Sequence, residues 1–177
     1  AIIIGSGAGV SPWTVLAQGI SMRSNLSIGV ATFLISVSIL IFWIPLKQIP
    51  GIGTVLNAII IASAIDLTLP YLPRPDTTFF KILQASFGIL IVGIGSGIYL
   101  SSNLGPGPRD GLMVGLQKKT NTTIPVIRTF IELSAVTLGW FLGGVVGIGT
   151  ILFVFGVGPC VGIGLTLVEK TSKKAVS

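Results

Sequence analysis

Long apolar stretches without charge alternate with short polar breaks along the chain. Charge-free runs cover residues 24–46, 48–65, 82–108 and 133–168. About 20 mostly apolar residues are enough to cross roughly 30 Å of hydrocarbon. Apolar length and Pro/Gly punctuation predict a partial span at 1–7 and further spans at 28–46, 52–69, 82–100, 124–142 and 149–168. The run 133–168 is too long for one helix, and Gly143, Gly144 and Gly147 supply the turn that splits it. Trp43 and Trp140 fall near span ends, where an aromatic belt would stand.

Composition agrees with burial in lipid. Eleven Lys and Arg and five Asp and Glu make up 9% of the 177 residues, against roughly 25% in a soluble domain. Under alternation of sides, Lys47, Arg109, Lys118, Lys119, Arg128, Lys170, Lys173 and Lys174 fall on one face, and Arg23, Arg74 and Lys81 on the other. The richer face is expected to be cytoplasmic, with both termini inside the cell. The basic tail 169–174 is then an anchor facing anionic lipid. Net charge +6 thus reflects topology. No basic stripe with interleaved aromatics points to nucleic acid.

Zero His and one Cys remove imidazole-held metals and cofactors, Ser-His-Asp chemistry, an internal disulfide and a thiolate cage. Neither a metal nor another cofactor is expected, and an enzyme is the weakest reading because no nucleophile and base can be assembled.

The chain aligns with itself at an offset of 96. Gly9 meets Gly105, Pro12 meets Pro108, Gly19 meets Gly115, Asn25 meets Asn121, and Gly51-Ile-Gly-Thr meets Gly147-Ile-Gly-Thr. About 18 identities over residues 1–74 include turn glycines and prolines, so a duplication is inferred. The expected architecture is all-α: six transmembrane helices as two three-helix repeats, 1–78 and 79–177. An odd number of spans per repeat inverts the second copy. Ile2 aligns with Ile98, deep in the fourth span, so the first span is expected to extend about 15 to 20 residues upstream of Ala1.

After the first span of each repeat comes a Gly/Pro segment leading into a short helical pattern. Ser11 and Gly107 are the expected N-caps, with Pro12 and Pro108 opening the helices. Two such half-helices in inverted halves point to a site at mid-membrane, because their free N–H groups and positive ends converge on an anionic group. The alternative is a plain interfacial connector.

The segments Gly9-Val-Ser-Pro-Trp-Thr and Leu104-Gly-Pro-Gly-Pro-Arg-Asp-Gly-Leu-Met, with Ile127-Arg-Thr and Val146-Gly-Ile-Gly-Thr, resemble the YczE/YyaS/YitT family of bacterial integral membrane proteins. The resemblance covers nearly the whole chain. It implies a small multi-pass protein of the bacterial cytoplasmic membrane, in a family known mainly as proteins of unassigned biochemical function and often labelled as transporters. In that family the first copy typically reads Pro-Trp-Asp, whereas Thr14 stands here in place of the acid.

Intramembrane charges complete the candidate site. Arg128 and Glu132 are four apart and can pair on one helix face. Arg109 and Asp110 begin the second short helix, where Asp suits the positive end and Arg offers a fork to an anion. The expected substrate-binding set is therefore Ser11, Pro12, Gly107, Pro108, Arg109, Asp110, Arg128 and Glu132. Asp66 reads as an interfacial or capping carboxylate and Cys160 as a packing residue. Gly139, Gly143 and Gly147 have the spacing of close helix contacts, and Gly93, Gly95 and Gly97 form a flexible run. Two functions follow: a small permease for an anionic or zwitterionic solute, or a non-catalytic subunit that joins a homo-oligomer or larger membrane complex through Gly-rich faces.

Overall fold

A computed structural model describes residues 1–176. The side chains of Ile124 and of residues 172–176, which include the tail lysines at 173 and 174, lie outside what is described. Eight α-helices follow one another: α1 (Ile2–Ser6), α2 (Pro12–Ser24), α3 (Ile28–Trp43), α4 (Ile52–Thr68), α5 (Thr78–Ser101), α6 (Pro108–Thr120), α7 (Ile124–Phe141) and α8 (Ile148–Val176). A 3-10 turn, Leu69–Tyr71, extends α4 where Pro70 withdraws a backbone donor.

Each of the six apolar stretches forms a helix, but they are not equal as spans. Three helices are long and apolar enough to cross a membrane: α4 with its 3-10 turn, α5 and α8. A fourth is added if α2 and α3, bent by 115° at their junction, count as one span. Helix α3 alone has 16 residues, about 24 Å at 1.5 Å per residue. Helix α7 carries Arg128 and Glu132 inside its 18 residues.

Start and stop signals act locally. Ser11 caps α2 by accepting the Thr14 N–H at 3.3 Å, and Ser27 caps α3 by accepting the Val30 N–H at 3.1 Å. Gly7 ends α1 in the left-handed region. Asn25 and Asn121, which tolerate that region better than most residues, end α2 and α6. Gly143, at φ 104°, turns the chain between α7 and α8.

The spacing of 96 recurs throughout this geometry. Helices α2 and α6, α3 and α7, and α4 and α8 begin at positions 96 apart. The residues with positive φ fall into pairs at the same spacing: Gly7 with Asn103, Gly9 with Gly105, Asn25 with Asn121, and Lys47 with Gly143. The loops before the short helices dock crosswise. Gly149 N–H donates to the Ala8 carbonyl at 2.7 Å, and Gly53 N–H donates to the Leu104 carbonyl at 2.9 Å. A Cβ on Gly9 would stand 2.8 Å from Thr150 Oγ1, and one on Gly105 would stand 3.0 Å from Thr54 Oγ1. The repeated Gly-Ile-Gly-Thr block is thus the seat for the loop of the opposite half, and its small residues admit backbone-to-backbone contact.

Packing elsewhere also depends on small residues. Gly93 and Gly97 of α5 lie against Cys160, Val161 and Gly164 of α8. These glycines sit inside a continuous helix and serve close packing rather than a flexible run. In lipid, such contacts gain van der Waals attraction without hydrophobic drive between helices. Trp43 differs from its expected place in a belt. It is 2% exposed and packs with Trp13, Ile39 and Ala135, whereas Trp140 is exposed. Its indole N–H donates to the Pro108 carbonyl at 3.0 Å, a carbonyl in the first turn of α6. Outward faces carry Ile44, Phe130, Phe141 and Phe155, all largely exposed. An apolar surface of that extent belongs in lipid.

Candidate functional site

The first turns of α2 and α6 meet at one cavity of about 730 Å³. Proline opens both helices, so the first position gives up no donor. The backbone N–H groups of Trp13 and Arg109, at the second positions, meet no acceptor among the described residues. Ser11 is buried and its hydroxyl is 2.7 Å from that of Thr14. The counterpart of Ser11 is Gly107, which has no side chain to cap α6.

All eight residues expected to form the site line this cavity: Ser11 and Pro12 from the first half, and Gly107, Pro108, Arg109, Asp110, Arg128 and Glu132 from the second. Arg128 Nε donates to Glu132 Oε1 at 2.9 Å, the pairing expected from their spacing. It is the only ion pair among the described residues. Arg109 stacks instead on Trp13, with Cζ 5.5 Å from the ring centre. Asp110, at the third position of α6, favours the positive end of its own helix.

Sequence reasoning missed part of the lining. Trp13, Thr14, Thr32 and Ser36 also line the cavity, and each stands 96 residues before a charged one: Arg109, Asp110, Arg128 and Glu132. The signal lies in the repeat itself: each charged position less 96 gives one of these four residues, which differ from it in chemistry. The residues after 96 thus contribute the ionic side chains of the cavity and those before it hydroxyls and an indole. Asn57 joins from α4, its Oδ1 near Gly107 and Asp110. Apolar side chains of α1, α4, α5 and α8 close the remainder, among them Ile3, Ile61, Ile91 and Val157.

Asp66 and Cys160 lie apart from the cavity. Asp66 accepts the Gly29 N–H at 2.8 Å and the Ser27 hydroxyl, which fixes the N-terminus of α3 to α4. Cys160 packs on Gly93. These are the capping and packing roles that their positions suggested.

Such a pocket can bind: it offers ionic groups of both signs, free helix N–H groups and an aromatic face, within the size range of small-molecule sites. Comparison with known proteins agrees with a membrane setting. The chain is 43% identical over 169 residues to an uncharacterized protein of Haemophilus influenzae, covering 96% of this chain and 78% of the relative. It is 34% identical over 151 residues to the uncharacterized membrane protein YczE of Bacillus subtilis, covering 85% and 70%. To the uncharacterized protein YyaS of the same organism it is 29% identical over 173 residues, covering 96% and 86%. No solved structure matches the chain. Residues 1–165 match the model of the family of unknown function DUF6198, and the chain is a membrane protein that belongs to that family.

Proposed function

We propose that the protein is a small permease of the bacterial cytoplasmic membrane whose solute, bearing an anionic group, binds in the cavity between α2 and α6. One observation carries this reading: the cavity is walled by residues 96 apart, Trp13 with Arg109 and Ser36 with Glu132 among them. In an inverted repeat, such pairs face each other where the two-fold axis crosses the membrane, and solute sites of many transporters lie there. The crosswise bonds of Ala8 with Gly149 and Leu104 with Gly53 support the same symmetry. On this reading the six apolar helices form two inverted sets of three, α2 and α6 are half-helices, and both termini face the cytoplasm. Access alternates as one half rocks against the other.

Uptake of radiolabelled small anionic and zwitterionic solutes into proteoliposomes tests the reading. The expected result is a solute uptake that Arg109→Ala and Glu132→Gln abolish. Uptake that survives both substitutions, or none for any solute, rejects it.

A second reading is a non-catalytic subunit of a larger membrane assembly. Gly162 of α8 is exposed and has nothing near the place where a Cβ would stand, which leaves room for a neighbouring helix. Stable co-purification with one larger complex, without flux, would favour this role.

A further inference from the structure

The cavity carries two cations and two anions, and only half of them are matched. Arg128 and Glu132 neutralise each other at 2.9 Å. Arg109 and Asp110, consecutive on α6, have no ion-pair partner among the described residues. Charges facing an apolar wall are costly unless paired. A solute with one charge would pair directly with either Arg109 or Asp110 and leave the other without a direct ion pair.

Resting on the permease reading of the same cavity, we propose that the solute is a zwitterion with an apolar body, its acidic group held at Arg109 and its ammonium group at Asp110. The Arg109 guanidinium, stacked on the Trp13 ring at the cavity, is the donor for the acidic group. Acceptors stand around Gly107: a Cβ there would lie 3.3 Å from Asp110 Oδ2 and 3.5 Å from Asn57 Oδ1, and both residues line the cavity. An ammonium group brings three donors and no acceptor, which suits that pair. The apolar body of the solute lies against Ile61, Ile91 and Val157.

Leucine and methionine present this chemistry, N-acetylleucine keeps only the anion, and leucine methyl ester keeps only the cation. Calorimetric titration of the purified full chain in detergent is expected to show zwitterions binding about tenfold or more tighter than either single-charge analogue. Asp110→Asn should erase the preference over N-acetylleucine, and Arg109→Gln the preference over the methyl ester. Equal affinity for leucine and N-acetylleucine, or no saturable binding of either zwitterion, overturns the proposal. The ranking on the unaltered chain carries the test even where a variant misfolds. Repeating the titration in phosphatidylethanolamine and phosphatidylglycerol nanodiscs identifies the source of the zwitterion. Competition by the former alone assigns it to a lipid headgroup, and equal binding in both assigns it to a soluble molecule. Binding in this order without flux would remove the permease reading and leave the zwitterion. Flux of N-acetylleucine equal to that of leucine would do the reverse.

Discussion

Trp13 and Arg109, at equivalent positions of two halves 96 residues apart, stack on each other with the guanidinium carbon 5.5 Å from the ring centre. Two equivalent residues touch only close to the axis that relates them. Their contact therefore marks where that axis would run in the proposed arrangement. It also places one aromatic face and one cation where a symmetric protein would have a matched pair.

The stack should be measurable as a coupling. A double-mutant cycle with Trp13→Leu and Arg109→Gln, read by chemical unfolding in detergent, is expected to give a coupling of about 0.5–2 kcal/mol. The Arg109→Lys variant should retain part of it, since the charge remains while the planar group is lost. A coupling near zero would mean that Arg109 is held by other contacts.

Gly111 and Trp43 form a second tight pair across the halves. A Cβ on Gly111 would overlap the Trp43 ring, which also donates to the Pro108 carbonyl. The equivalent contact reverses the sizes: Gly139 of α7 lies against the backbone of Val15 and Leu16 in α2, where Val15 stands at the position of Gly111. Gly111→Ala is expected to cost about 1–3 kcal/mol through overpacking. In the Trp43→Leu background the same change should be neutral or stabilising, because the methyl group enters space that the ring vacated. Thermal unfolding of the four proteins reads this out, and a Gly111→Ala penalty of the same size in both backgrounds would rule out the ring as its cause.

The two seats of the crosswise loops are alike in sequence but not in bonding. Thr54 Oγ1 accepts the Gly51 N–H at 3.2 Å and donates to the Pro106 carbonyl at 2.7 Å, whereas Thr150 Oγ1 accepts the Gly147 N–H at 3.3 Å. Both threonines are buried. Thr54→Val should therefore cost about 1–3 kcal/mol, since it leaves two partly buried backbone groups without that partner, and Thr150→Val roughly half as much. Equal costs would show that Thr54's bond to Pro106 contributes nothing net.

Much of this was legible in the residues, for identifiable reasons. Helix starts at Pro12 and Pro108 follow from proline geometry and need no tertiary information. The Arg128–Glu132 pair follows from four-residue spacing on one helix. Trp43 was not legible, because a tryptophan near a helix end serves a belt or a core equally well until its neighbour is known. Here the neighbour is Gly111, 68 residues away in sequence (111 − 43). The neutral part of the cavity lining was hidden for a related cause: Thr32 and Ser36 look like ordinary helix hydroxyls, bonding back to Ile28 and Thr32 carbonyls. Only their placement in one cavity with Arg128 and Glu132 gives them a role.

Topology gives the sharpest test of the proposed inversion. Helices α2 and α6 end at Ser24 and Thr120, both exposed, just before asparagines in the left-handed conformation. If the halves are inverted, those two ends lie near opposite faces of the membrane. Single cysteines, Ser24→Cys and Thr120→Cys, would be made in a Cys160→Ser background, since Cys160 is the one native thiol. A membrane-impermeant maleimide added to intact spheroplasts should label Ser24→Cys, whose neighbour Arg23 lies on the face poorer in positive charge. Thr120→Cys, beside Lys118 and Lys119, should react only after the membrane is permeabilised. Both ends are exposed on the protein, and labelling of both in detergent is the control that lets a failure in spheroplasts report sidedness. Labelling of both from one side would exclude inversion, and with it the symmetry argument for a solute site between α2 and α6.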